Sequence, residues 1–156
     1  MRVHLWLSAS VLAGSALLPS AQAQTAPTAQ AGPTAKAIGE FTDQRGFRRK
    51  YYVVPAGLSD AQLTALARQL HGTEKNAWLW LLNSDEQAQQ MMATVAKTQT
   101  GDMAGYPGQW VEQHTAAHSG LAIMPKGKGR QWLLYKGPYT SQQLGVLPCL
   151  DRSCSP

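Results

Sequence analysis

Residues 78–82 read Trp-Leu-Trp-Leu-Leu, five large apolar side chains without a polar interruption. Successive side chains of a strand point to opposite faces, so a strand of this composition buries both of them. The chain must therefore supply enough further apolar elements to enclose it. At 156 residues, 44% of them hydrophobic, it is long enough for one domain with a core of its own. The same figures exclude a chain disordered throughout and leave little room for a two-domain enzyme.

Not all of that apolar content belongs to the folded part. Met1 and Arg2 make a short positive start, Leu5 to Leu18 form an uncharged apolar run, and Ala21-Gln22-Ala23 has the small-x-small form of a cleavage site. Residues 1–23 thus read as a secretory signal peptide. The run holds about 14 residues, short of the roughly 20 needed to span a bilayer. No transmembrane segment is expected after cleavage near Ala23, and the exported form would be periplasmic or secreted. Loss of Arg2 leaves a net charge of about +4 in place of +5. Export argues against nucleic acid as a partner. The basic groups Arg45, Arg48, Arg49 and Lys50, and Lys126, Lys128 and Arg130, suit either solvated strand edges or an anionic partner such as a cell-wall glycan, a phosphate or a lipid head group.

Residues 24–37 are dominated by Ala, Thr, Gln, Pro and Gly, with no bulky side chain to bury, and read as a flexible linker. The domain is expected over residues 38–147. Tyr51-Tyr52-Val53-Val54 is a strand stopped by Pro55 and Gly57. Ser59 opens a helix with Leu63, Leu66, Ala67 and Leu70 on one face and Gly72 as its end. After the 78–82 strand, Asn83 or Ser84 caps a second helix that buries Ala88, Met91, Met92 and Val95. Residues 98–108 form a loop. Leu121 to Met124 and Trp132 to Tyr135 flank Lys126-Gly127-Lys128-Gly129 as a hairpin. A helical turn is expected from Thr140.

Three segments, starting at Ser59, Ser84 and Thr140, place a glutamine three residues after a hydroxyl, the capping-box spacing. The fold class is therefore α+β: strand–helix, strand–helix, then a β-hairpin, with the helices packed on one face of a small mixed sheet.

The residues bearing chemistry are few. Trp110, His114 and His118 are spaced by four and would share one face of a helix, where the two imidazoles approach a common ion. In a strand the same two histidines lie about 13 Å apart. The hydrophobic pattern of 110–121 favours a helix. Glu112 precedes His114, however, so the base next to the first ligand of a metalloprotease helix is missing, and no third ligand is evident. No G-x-S-x-G occurs, Asp60, Asp85 and Glu86 suit helix starts, and the glycines of 126–130 serve a turn. No cofactor is expected. Trp78, Trp80, Trp132 and Tyr135 fall within apolar runs and suit the core, whereas Tyr106 and Tyr139 sit beside prolines in loops and suit an exposed site. Cys149 and Cys154, in the 148–156 tail, pair as a disulfide if the chain is exported.

The segment Tyr106-Pro107-Gly108-Gln109-Trp110-Val111-Glu112-Gln113-His114-Thr115-Ala116, followed by Trp132-Leu133-Leu134, resembles small exported bacterial domains of unknown function. The likeness extends over most of residues 50–136 and implies no catalytic residues. Tyr51 to Val54 before a helix and Tyr135-Lys136-Gly137-Pro138-Tyr139 are also similar to parts of the peptidoglycan-binding SPOR domain, a likeness that would imply glycan binding. The expected function is an exported envelope module that binds a partner without catalysis, either an envelope protein or an anionic cell-wall glycan. Its candidate contacts are Tyr106, Trp110, His114, Lys126, Lys128, Arg130 and Tyr139. The alternatives are a small metal-dependent hydrolase using His114 and His118, or a peptidoglycan-binding module.

Overall fold

A computed structural model of the chain describes residues 32–74, 77–125, 129–149 and 154. The expected signal peptide, most of the linker, and Lys126 and Lys128 lie outside the described residues. Six strands form one mixed sheet in which spatial order follows chain order: β1 (Lys36–Thr42), β2 (Arg48–Val53), β3 (Ala77–Leu82), β4 (Thr115–Ile123), β5 (Arg130–Lys136) and β6 (Gln143–Val146). All neighbours are antiparallel except β2 and β3. Three α-helices, α1 (Asp60–Thr73), α2 (Ala88–Thr94) and α3 (Gly108–His114), and a 3-10 helix (Val95–Thr100) complete the fold. The α+β class is that expected.

The parallel pair follows from lengths. α1 has 14 residues and spans about 21 Å, close to the span of a six-residue strand. It carries the chain back to where β2 began, and β3 pairs in register from Arg48↔Ala77 to Val53↔Leu82. α1 starts where Ser59 predicts: the Gln62 amide donates to Ser59 Oγ at 3.3 Å, and the Ser59 amide donates to Gln62 Oε1 at 2.9 Å. It runs one residue past Gly72, and Thr73 Oγ1 donates to the Leu70 carbonyl at 2.8 Å near its end.

The core is double, one cluster on each sheet face. Leu63, Leu66 and Ala67 of α1 cover Ala77, Leu79, Leu81, Trp132 and Leu134. Ala88, Met91, Val95, Trp110 and Val111 cover Tyr51 and Leu82, with Trp80 packed alongside. Alternation along β3 thus sends Leu79 and Leu81 one way and Trp80 and Leu82 the other. This corrects the expectation of helices on a single face. A strand apolar at every position needs cover on both sides, and the long connection from β3 to β4 supplies the second layer.

Two further expectations change. α2 begins at Ala88, not at Asn83 or Ser84, and has no side-chain cap; Ser84 Oγ instead accepts from the Glu86 amide at 3.3 Å in the preceding turn. The segment after Thr140 is not helical. Gln143 pairs with Tyr135 and Gly145 with Leu134, so the chain extends the sheet as β6. The outer edge of β5 offers backbone groups that a strand satisfies and a helical turn would not. β6 also passes close to α1: a Cβ on Gly145 would lie 3.1 Å from Thr64 Cγ2.

β1 begins at Lys36, inside the segment read as linker, because Lys36 and Ala37 pair with Val53 and Tyr52. The β4–β5 hairpin pairs as expected, in register from Ala117↔Lys136 to Ile123↔Arg130, but β4 begins at Thr115, where a helix was expected. Cys149 and Cys154 form a disulfide. Among the described residues no helix is long and apolar enough to cross a membrane.

Candidate functional site

The long β3–β4 connection builds a cleft of about 530 Å³ lined by Glu86, Gln87, Tyr106 to Trp110, Gln113 and His114. α3 forms one wall. Its Trp110 is 5% exposed and anchors the helix in the second core cluster, with its ring 5.4 Å from that of His114 one turn later. The i, i+4 relation expected for these two side chains therefore holds. Gln109 and Gln113, also a turn apart on α3, add two amides to the lining.

His114 is held at the end of α3 by Asn83, the residue that follows β3. The Asn83 amide donates to the His114 carbonyl at 2.9 Å, and Asn83 Oδ1 lies 2.9 Å from His114 Nδ1. A carboxamide oxygen only accepts, so Nδ1 carries a proton and Nε2 is the acceptor in the neutral ring. Tyr106 closes the other side, and burial raises its phenol above the usual range, keeping the hydroxyl protonated. The cleft therefore presents amide donors and acceptors, one phenol, one oriented imidazole and the Glu86 carboxylate.

His118 is elsewhere. α3 ends at His114 and β4 begins at Thr115, so the helix on which two imidazoles would converge stops between them. The expectation of one helix carrying both His114 and His118 is corrected accordingly. His118 is 6% exposed, its Nδ1 lies 2.7 Å from the Gly137 carbonyl, and its ring sits between Trp80 at 5.1 Å and Tyr135 at 5.5 Å. With Tyr51 stacked on Trp80 and Phe41 on Tyr51, five rings cross five strands in a continuous row. Burial lowers the His118 pKa, and the Gly137 carbonyl opposes that shift. Among the described residues no group of three or more His, Cys, Asp or Glu side chains is placed to hold a metal ion.

The remaining candidates scatter. Arg130 is exposed at the start of β5 and lines a different cleft, with Met124, Val146 and the Cys149–Cys154 disulfide. Tyr139 is exposed and donates a hydrogen bond to Glu112 of α3, but does not line the His114 cleft. That bond raises the Tyr139 phenol above the usual range. Tyr106, Trp110 and His114 are thus the three sequence candidates that meet. The residues missed are Asn83, Glu86, Gln87, Gln109 and Gln113. Their polarity reads equally well as helix capping or solvated surface, and the spacing of Gln109 and Gln113 alongside Trp110 and His114 was the available signal.

Comparison with protein-family models, with curated proteins and with solved structures gives no match to this chain.

Proposed function

We propose that this chain is an exported binding module of the periplasm or cell envelope, acting without catalysis, and that it takes its partner at the α3 cleft. The observation that carries this reading is the lining itself. Three glutamines, an Asn-oriented histidine, a tyrosine and the Glu86 carboxylate surround an open groove. Such groups recognise polar matter by hydrogen bonding, with Tyr106 offering a ring on which a sugar or peptide face can rest.

An envelope protein or a cell-wall glycan fits this chemistry, and the amide-rich lining favours the glycan. The test is co-sedimentation of the purified protein with cell-wall sacculi, alongside photo-crosslinking in cells from a reactive residue at Gln113. The expected result is saturable sedimentation that a Gln109→Ala, Gln113→Ala double variant reduces at least ten-fold. Crosslinking to one envelope protein without sedimentation assigns the partner as protein. Sedimentation equal in variant and parent, with no specific crosslink, overturns the cleft as the binding site.

A further inference from the structure

Another cleft, of about 310 Å³, lies where the turn joining β1 to β2 meets the 3-10 helix, and is lined by Asp43, Gln44, Arg45, Arg49 and Gln99. Its charge and fixation distinguish it from the general basic surface. The Arg49 guanidinium rests 5.8 Å from the Phe41 ring centre and 5.2 Å from that of Trp78, and one Nη lies 3.2 Å from Asp43 Oδ2. Its side chain is only 29% exposed, and its Nε is buried with no hydrogen-bond partner. A guanidinium presents five N–H donors. The fold therefore holds this one rigid while leaving most of its donors unspent.

Asp43, the cleft's carboxylate, is already committed. Its Oδ1 accepts from the Arg45 and Phe47 amides, both at 3.0 Å, and its Oδ2 takes Arg49. Burial pushes the Asp43 carboxyl up, but the Phe47 amide, Arg49 and the Arg45 amide together hold it below the usual carboxylate range. The turn is tied to the 3-10 helix by the Gln44 amide, which donates to Gln99 Oε1 at 2.8 Å. Among the described residues no carboxylate lies within ion-pair distance of the Arg45 guanidinium. The lining thus combines one fixed and one uncommitted guanidinium around a carboxylate whose acceptors are occupied.

We propose that this cleft is a phosphate-binding site in which Arg49 is the fixed donor and Arg45 closes over the bound oxyanion. Guanidinium groups bind phosphate through paired, charge-assisted hydrogen bonds, and two of them in one cleft can share the oxygens of a tetrahedral oxyanion. The site is independent of the α3 cleft and stands whether or not that cleft binds a glycan.

The test is titration of the ¹⁵N-labelled protein with inorganic phosphate, with acetate as comparator, followed through backbone and arginine side-chain resonances. Saturable shifts confined to residues 43–49 and 97–99 are expected, with acetate at least five-fold weaker and Arg45→Gln weakening phosphate at least ten-fold. An Arg130→Gln variant, which removes an equal charge elsewhere, should leave the affinity unchanged. Binding to phosphatidylglycerol vesicles that Arg45→Gln abolishes identifies a lipid phosphate as the source; saturation by free phosphate without vesicle binding identifies a soluble one. Shifts that never saturate, or that respond equally to Arg45→Gln and Arg130→Gln, overturn the proposal.

Discussion

Asn83 and His114 are joined twice, by a backbone hydrogen bond of 2.9 Å and a side-chain contact of 2.9 Å between Oδ1 and Nδ1. The end of β3 is thereby fastened to the end of α3, 31 residues later. This pair sets which imidazole nitrogen carries the proton. Replacing Asn83 by leucine should lower stability by about 1 kcal/mol, the net value of one such bond. It should also mix the two His114 tautomers. Urea denaturation reads the first effect and imidazole ¹⁵N shifts the second; a single unchanged tautomer would show that Asn83 does not orient the ring.

His118 predicts a pH dependence. Its folded-state pKa lies below the ordinary 6.5, so in the window between the two values the unfolded chain binds more protons than the folded one. Stability is then complete above about pH 6.5 and falls as the pH drops toward the folded pKa. Glu40 and Asp43 are shifted below their ordinary 4.5 and 3.8, so their losses come at lower pH. A His118→Phe variant keeps a ring between Trp80 and Tyr135 and should lose less stability than the parent as the pH falls from 7 to about 5.5. Equal slopes in variant and parent would place the titration elsewhere.

The Cys149–Cys154 disulfide closes a short loop, for which the chain-entropy model gives about 2 kcal/mol. A Cys149→Ser, Cys154→Ser double variant should therefore stay folded. It should lose no more than that amount in denaturant titration, with the sheet amides still protected from exchange. Global unfolding on reduction would show that the tail carries more of the fold than its loop length implies.

Leu79 is completely buried on the α1 side of the central strand. Truncation to alanine should cost about 2–5 kcal/mol. Trp80, its neighbour on the opposite face, belongs to a different cluster. Combining Leu79→Ala with Trp80→Phe should give nearly additive losses, because the two side chains pack in separate clusters on opposite faces of the sheet. Strong non-additivity would mean that the two layers respond as one core.

Legibility followed the range of the interaction involved. Ser59 and Gln62 form a capping box that four consecutive residues specify, and it is present as read. The apolar run of β3 announces a strand covered on both sides, yet the identity of the covers depends on partners far along the chain. Ser84 repeats the capping-box spacing without capping α2, and the adjoining Asn83 binds His114. Thr140 has the same local grammar, but β5 had an open edge, and the chain completed it as β6. Trp110 and His114 meet because one helical turn separates them; His118 does not, because the helix ends first.

Taken alone, the sequence determined what short-range chemistry controls: the strands at Tyr51–Val53 and Trp78–Leu82, the start of α1, the turn-linked pairing of β4 with β5 and the two cysteines available to pair. Tertiary structure decided the rest: helices on both faces, the parallel β2–β3 pair, the sixth strand, the cleft that gathers Tyr106, Trp110 and His114, and the fixed guanidinium of Arg49. The physical reason is one of distance. Capping and alternation are satisfied by residues a few positions apart, whereas buried hydrogen-bonding groups and apolar faces take whichever partner the folded chain brings to them.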